Sequence, residues 1–204
     1  MPEADAWNAR YEIGSIPWDL GRAHPELETR LALDPALGTG SVGTVLVPGA
    51  GTGHDAAALA QAGWRVTAVD VAPAVEAGLL RRLGAEHASV FIADALEIEV
   101  EEPFDMVFDH TFFCALDPSD RPRFGAMADR ALTRSGSVIS IVFPMARPLS
   151  EGGPPWGFDT EDLAAALGEG FSLEERGGRS HVSGRRWPYA WTRWTRVRGD
   201  DHLR

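Results

Sequence analysis

From residue 44 onward, short apolar runs alternate with amphipathic stretches, and glycines fall at most of the joins. The β-branched runs Thr44–Val47 and Arg65–Val69 predict buried strands, as do Ser89–Ala93, Asp105–Phe108 and Ser137–Phe143. Between them the spacing predicts helices. One runs from about Gly53 to Ala62 and stops at Gly63; the next has Pro73 near its start and Gly84 just past its end. A third is capped by Asp117 or Asp120, with Pro118 or Pro122 early. Phe124, Met127, Ala128, Ala131 and Leu132 form its apolar stripe, and Gly136 is expected to end it. A short helix over Glu161–Leu167 leads into two β-like runs, Phe171–Arg176 and Trp187–Val197. With only the turn Gly177–Arg186 between them, these should pair as an antiparallel hairpin. Strand–helix alternation of this kind predicts an α/β fold on a mostly parallel sheet, with one domain over residues 1–204. The first strand is preceded by a segment, residues 1–40, that stands apart from the core at 41–204.

Composition narrows the chemistry. The chain has 204 residues with 44% hydrophobic and 24% charged, a globular balance that argues against disorder. Its net charge is −11, and all 19 bases are arginine. With no lysine there can be no Schiff base, no P-loop lysine and no lysine general base. An acidic surface also disfavours nucleic acid and anionic membranes as partners. The charge is uneven, however. Residues 176–204 hold eight arginines and two aspartates, a charge of +6, which leaves −17 on residues 1–175. Solvated arginines guarding an edge hairpin explain the basic end without invoking a nucleic acid. One cysteine, Cys114, an acidic N-terminus and no long apolar run predict a soluble, cytoplasmic protein. Lysine-free, alanine- and arginine-rich usage points to a GC-rich bacterial source, and no long apolar surface helix argues for more than a monomer.

The informative stretch is Val45-Leu46-Val47-Pro48-Gly49-Ala50-Gly51-Thr52-Gly53-His54-Asp55, a strand running into a glycine-rich turn that opens a helix. Glycines let a ligand approach the backbone, and free N–H groups at a helix start favour an anion. A second strand ends at Asp70, seventeen residues beyond Gly53, placed to take two ribose hydroxyls. Dinucleotide oxidoreductases and S-adenosylmethionine (SAM) enzymes share this plan. The spacing here is G-x-G-x-G, and His54 stands where a dinucleotide fingerprint wants glycine. Asp94-Ala95 after the third strand suits an adenine amino group, although a helix cap would use Asp94 equally well. These features favour SAM over NAD(P).

Pro17-Trp18-Asp19-Leu20-Gly21, the glycine-rich stretch, the run Phe104–Leu116, Arg121-Pro122 and Gly152-Gly153-Pro154-Pro155 together resemble the thiopurine S-methyltransferase superfamily, and within it the halide/thiol methyltransferase branch. The resemblance runs from Trp7 to Trp194. It implies a Rossmann-like, seven-stranded SAM-methyltransferase sheet with helices on both faces, in which the C-terminal hairpin supplies the lone antiparallel strand. It also implies an N-terminal cofactor lid with three aromatic positions, here Trp7, Tyr11 and Trp18, where tyrosine replaces a middle tryptophan. Carried over position by position, Gly49 contacts the methionine part of SAM, Asp70 the ribose, and Asp94 with Ala95 the adenine. Gly51 and Gly53 of the same turn are likewise expected to bind the cofactor. A cofactor-contacting tyrosine falls at His110, a second departure. Pro48 stands where many methyltransferases place an acid, so backbone carbonyls of the turn would hold the cofactor's amino group.

The implied chemistry asks little of the protein. A sulfonium is a cation that aromatic faces can hold, and in-line methyl transfer rests on alignment and desolvation. A thiol or halide acceptor needs no lysine and no metal, and the six scattered histidines offer neither a triad nor a metal-ligand pair. Cys114 reads as a small buried residue. His110 could act as a base toward the acceptor or replace the tyrosine's contact with the cofactor, and Asp19 could orient the lid. The expected function is SAM-dependent methylation of a small thiol, sulfide or halide, leaving S-adenosylhomocysteine. An O- or N-methyltransferase for a small carboxylate or amine is the nearest alternative. An NAD(P)-dependent oxidoreductase and a non-catalytic SAM-binding protein are more distant. Gly153–Phe158 and the Arg179–Arg186 turn are expected in the acceptor pocket, where an arginine could bind an anionic acceptor.

Overall fold

The computed structural model describes residues 4–35, 37–38, 43–84 and 88–197. Seven strands form one sheet in the order β3-β2-β1-β4-β5-β7-β6. They are β1 (Thr44–Pro48), β2 (Arg65–Asp70), β3 (Ala88–Ile92), β4 (Phe104–His110), β5 (Leu132–Val142), β6 (Phe171–Arg176) and β7 (Ala190–Arg196). All adjacent pairs are parallel except those of β7, which is antiparallel to both β5 and β6. This is the seven-stranded methyltransferase sheet expected from the sequence, with the C-terminal hairpin supplying the reversed strand.

Side-chain alternation along the central strands divides the core in two. Val45, Val47, Met106 and Phe108 face one way and pack with Leu27, Leu59, Leu79 and Trp191. Leu46, Val107, Val138 and Val142 face the other way and pack with Phe113, Phe124, Met127 and Leu163. Helices cover both faces: α1 (Ala4–Glu12), α2 (Pro25–Leu33), α3 (His54–Gln61), α4 (Glu76–Leu83), α5 (Arg121–Ala131) and α6 (Thr160–Leu167). Helix α6 begins with a capping box in which Asp159 accepts from the Asp162 backbone N–H while the Asp162 side chain accepts from that of Asp159. It packs so closely on α5 that a Cβ at Gly125 would fall 1.8 Å from the Ala166 carbonyl oxygen. Among the described residues no helix is long and apolar enough to cross a membrane.

One boundary differs from expectation. Helix α5 ends at Ala131, and Leu132 turns extended and pairs with Phe104. Leu132 is thus strand rather than the last position of a helical stripe, and Gly136 lies within β5 rather than ending α5. Between Leu132 and Ser137, which stand opposite Phe104 and Met106, β5 carries three extra residues. Such a bulge tolerates the polar Arg134-Ser135 because it leaves them exposed to solvent. The N-terminal segment contains α1 and α2, which the hydrophobic pattern does not reveal. The basic end is less free than its composition suggests, because Arg176, Arg193 and Arg196 reach Glu161, Asp34 and Asp129. Arg198 and Arg204 lie outside the described residues.

Candidate active site

The parallel strands aim their C-terminal ends at one side of the sheet, and the loops that leave them define a cleft of about 350 Å³. This crevice is the usual ligand position in a doubly wound sheet. Sheet order sorts its walls. From β1, β2 and β3 come Gly49, Asp70, Val71, Ala93 and Ala95. From beyond β4 and β5 come Thr111, Phe112, Cys114, Phe143, Pro154 and Pro155, with Gly184–Trp187 from the loop before β7. Trp7, Arg10, Tyr11, Pro17 and Trp18 cover the opening from the N-terminal segment.

The glycine-rich turn is held by buried chemistry. Gly49, Gly51 and Gly53 all have positive φ (59°, 54° and 82°), which a side chain would strain. A Cβ on Gly49 would come 2.6 Å from Phe112, and one on Gly53 would come 2.5 Å from Leu79. Gly53 is therefore required by helix packing, whereas Gly51 has only the Tyr11 hydroxyl over it, at 3.0 Å. Asp70, at 5% exposure, accepts from the Gly51 N–H at 2.8 Å and the Ala72 N–H at 3.0 Å. Burial raises its carboxyl above the ordinary value, against the pull of these backbone donors.

The aromatic segment is a cluster rather than a string. Trp18 meets Trp7 and Tyr11 edge-on, with centroids 5.3 and 5.7 Å away. The Arg10 guanidinium lies 5.6 and 5.9 Å from the Trp7 and Trp18 ring centroids, so these rings already hold a cation. Burial, then the charge of Asp70, pushes the Tyr11 phenol up, and it remains protonated. Three ties fasten this segment down. Asn8 accepts from the Ala74 N–H at 2.8 Å, Asp19 accepts from the Thr52 hydroxyl at 2.6 Å, and Arg185 donates to the Trp18 carbonyl. Asp19 thus joins the aromatic segment to the glycine-rich turn.

Five expected residues do not line the main cleft: Asp19, Gly51, Gly53, Asp94 and His110. Asp94 accepts from the Leu96 N–H at 2.9 Å as a cap and lies 3.6 Å from Arg123, while its neighbour Ala95 lines the cleft. His110 lines a smaller recess of about 50 Å³, which shares Trp18, Gly49 and Thr111 with the main cleft. Cys114 is buried and donates to the Thr111 carbonyl at 3.3 Å. Burial, then Asp109, pushes its thiol well above the usual range, which disfavours the thiolate.

Sequence reasoning missed several residues. Asp109, 1% exposed, accepts from the Phe112 and Phe113 N–H groups and from the Ser140 hydroxyl, fixing the turn that places Thr111 and Phe112 in the cleft. Asp55 takes the His24 N–H at 2.7 Å and lies 2.6 Å from His110 Nδ1. Only the aspartates' place, in or beside the motifs, was visible as a signal. His24 packs between the rings of His110 and Tyr189 at 4.8 and 4.5 Å, and its own Nδ1 accepts from the Glu26 N–H.

Comparison with known proteins agrees with this geometry. A family profile described as thiopurine S-methyltransferase matches residues 2–188. "Probable thiol methyltransferase 2" of Arabidopsis thaliana is 33% identical over 167 residues, covering 79% of this chain and 70% of that protein. Thiocyanate methyltransferase 1 of the same plant is 32% identical over 181 residues, 85% and 77% of the two chains. Among solved structures, a Burkholderia thailandensis 1,6-didemethyltoxoflavin-N1-methyltransferase with bound S-adenosylhomocysteine superimposes with a TM-score of 0.75 at 22% identity, over 95% of this chain and 87% of that one.

Proposed function

We propose, from the premise that this chain belongs to the thiopurine S-methyltransferase family and is a SAM-dependent methyltransferase, that its acceptor is a small thiol, sulfide or halide. The observation that carries the reading is the cleft itself. One wall offers the turn's backbone and a buried carboxylate; the other is apolar and built from Phe112, Cys114, Phe143, Pro154 and Pro155. An apolar wall strips water from a soft nucleophile, which is poorly hydrated to begin with, and no base or metal is demanded.

The residues present fit SAM. Its sulfonium supplies an activated methyl group. Trp7, Tyr11 and Trp18 would form an aromatic lid over it, and Arg10, already against two of these rings, would have to share or yield their faces. Asp70 serves the ribose, the backbone of Gly49 and Gly51 the methionine part, and Ala95 the adenine. Asp94 would have to leave Arg123 to join it. Asp19, through Thr52, holds the lid on the turn. The relatives named for thiols and thiocyanate support the acceptor class, and halides extend it to other soft anions.

A second reading rests on Arg185. It lines the cleft and makes no ion pair among the described residues, so a small carboxylate acceptor has a partner there. Release of S-adenosylhomocysteine with hydrosulfide, iodide, thiophenol and benzoate as acceptors separates the two readings. Turnover with the first three supports the soft-nucleophile reading, and turnover with benzoate alone overturns it.

A further inference from the structure

The recess beside the main cleft contains an arrangement that simple alignment chemistry does not need. Asp55, on the first turn of α3, uses one carboxylate oxygen to accept the His24 backbone N–H at 2.7 Å. The other oxygen lies 2.6 Å from His110 Nδ1. An ionised carboxylate only accepts, so the hydrogen sits on Nδ1, and Nε2 of a neutral His110 carries its lone pair. Among the described residues nothing bonds Nε2. The His110 side chain keeps 12% exposure, and it opens on the recess that Trp18, Gly49 and Thr111 share with the cleft.

The surroundings favour one proton store. The titratable groups packed around His110 are Asp55 on α3, His24 at the start of α2 and Asp109 beside it on β4, and Asp19, Arg22 and His54 line the same recess; Arg22 and Arg185 also act on the charge of His24. Burial, then His110, pushes His24 down to about 3, so it stays neutral. Burial alone would raise the Asp55 carboxyl. The attraction and hydrogen bond of His110, with the His24 N–H, hold it below its ordinary value instead. A carboxylate held ionised against one imidazole stabilises the charge that imidazole gains when it takes a proton.

We propose that His110 and Asp55 form a base for acceptors that arrive protonated, with His110 as the catalytic residue and Asp55 as its positioning residue. The inference rests on the methyl-transfer reading above and narrows its substrate class. A thiol with pKa about 8.5 is mostly S–H at neutral pH, whereas a halide is always an anion. As the thiol sulfur forms its bond to the methyl carbon, its proton passes to His110 Nε2. The electron pair of the broken carbon–sulfur bond stays on the sulfonium sulfur, giving neutral S-adenosylhomocysteine. His110 then returns its proton to water.

The test compares kcat/KM for 2-mercaptoethanol and for iodide, each at saturating SAM and from pH 6 to 9. In His110→Phe the thiol-to-iodide ratio at pH 7 is expected to fall about 100-fold, the size of general-base catalysis. The thiol rate then climbs with pH, following the thiolate. Asp55→Asn should lower the same ratio. In protein without cofactor, nitrogen NMR of His110 should show the Nδ1–H tautomer in the wild type and a mixture in Asp55→Asn. Should His110→Phe fail to fold, His110→Gln gives the same comparison. A ratio within about threefold of wild type, with S-adenosylhomocysteine affinity weakened in calorimetry, makes His110 a cofactor contact and overturns the proposal. A wild type that binds S-adenosylhomocysteine yet methylates neither probe overturns the acceptor reading itself.

Discussion

Asp70 and Asp55 flank the same glycine-rich turn, and burial acts on both, yet they end in opposite states. Asp70 is surrounded by backbone donors, and its carboxyl sits above the ordinary value. Asp55 faces a histidine and sits below it. Neutral N–H dipoles offset only part of the desolvation of a carboxylate, whereas a partner able to carry positive charge more than offsets it. The first site suits hydroxyl groups of a bound cofactor, which share oxygens already anchored to the turn. The second suits proton movement. On the proposed reading, binding falls to one side of the turn and chemistry to the other.

Removing each anchor tests that division. Asp70→Ala should have the largest effect. The ribose hydroxyls it is proposed to hold lose a charged acceptor, each bond worth about 1.5–3 kcal/mol, so S-adenosylhomocysteine affinity should fall by about 100-fold or more in calorimetry. Equal affinity in this variant would show that Asp70 supports the fold alone. Asp109→Ala offers a contrast within the same neighbourhood. It strips a buried carboxylate from two N–H groups and a hydroxyl, and the loss should appear as about 2–4 kcal/mol of unfolding free energy in urea melts.

The lid gives a smaller but more pointed effect. Trp18→Ala should weaken SAM more than S-adenosylhomocysteine, because only SAM carries the sulfonium charge. A cation–π contribution of about 0.5–2 kcal/mol corresponds to roughly a 2- to 30-fold change in the affinity ratio. An unchanged ratio would reduce the lid to packing.

A separate effect is on stability against pH. His24 is neutral when folded, with a value of about 3, and titrates near 6.5 when unfolded. Below 6.5 the unfolded chain binds the extra proton, so stability should decline as pH falls from about 6.5 toward 3. His24→Asn keeps a cap for α2 and should flatten that part of the profile.

What the sequence reveals follows from how each feature is encoded. Strands β1, β2 and β4 announce themselves because their alternating apolar residues feed two separate cores. The seven-stranded sheet and its reversed strand follow from the family resemblance. Helices α1 and α2 carry no such stripe, since α1 buries no residue and α2 only Leu27. The β5 bulge is hidden because Leu132 continues the helical spacing of α5 while the backbone has already turned extended. At the site, Gly49, Asp70 and Ala95 follow the ends of β1, β2 and β3, so their place in the cleft follows from the topology, whereas the aromatic trio, on and just after α1, is legible only through the family resemblance. Asp55 reads locally as an ordinary acid in a first helical turn. Its partners His24 and His110 are 31 and 55 residues away, and only the folded chain brings them together.

On the proposed reading this cleft delivers a methyl group to a soft nucleophile. The most direct measurement is a competition: the protein, SAM labelled with carbon-13 in its methyl group, and equal concentrations of thiophenol and benzoate, followed by NMR of the products. The label is expected on sulfur, as thioanisole. Label found only on oxygen, as methyl benzoate, would contradict it.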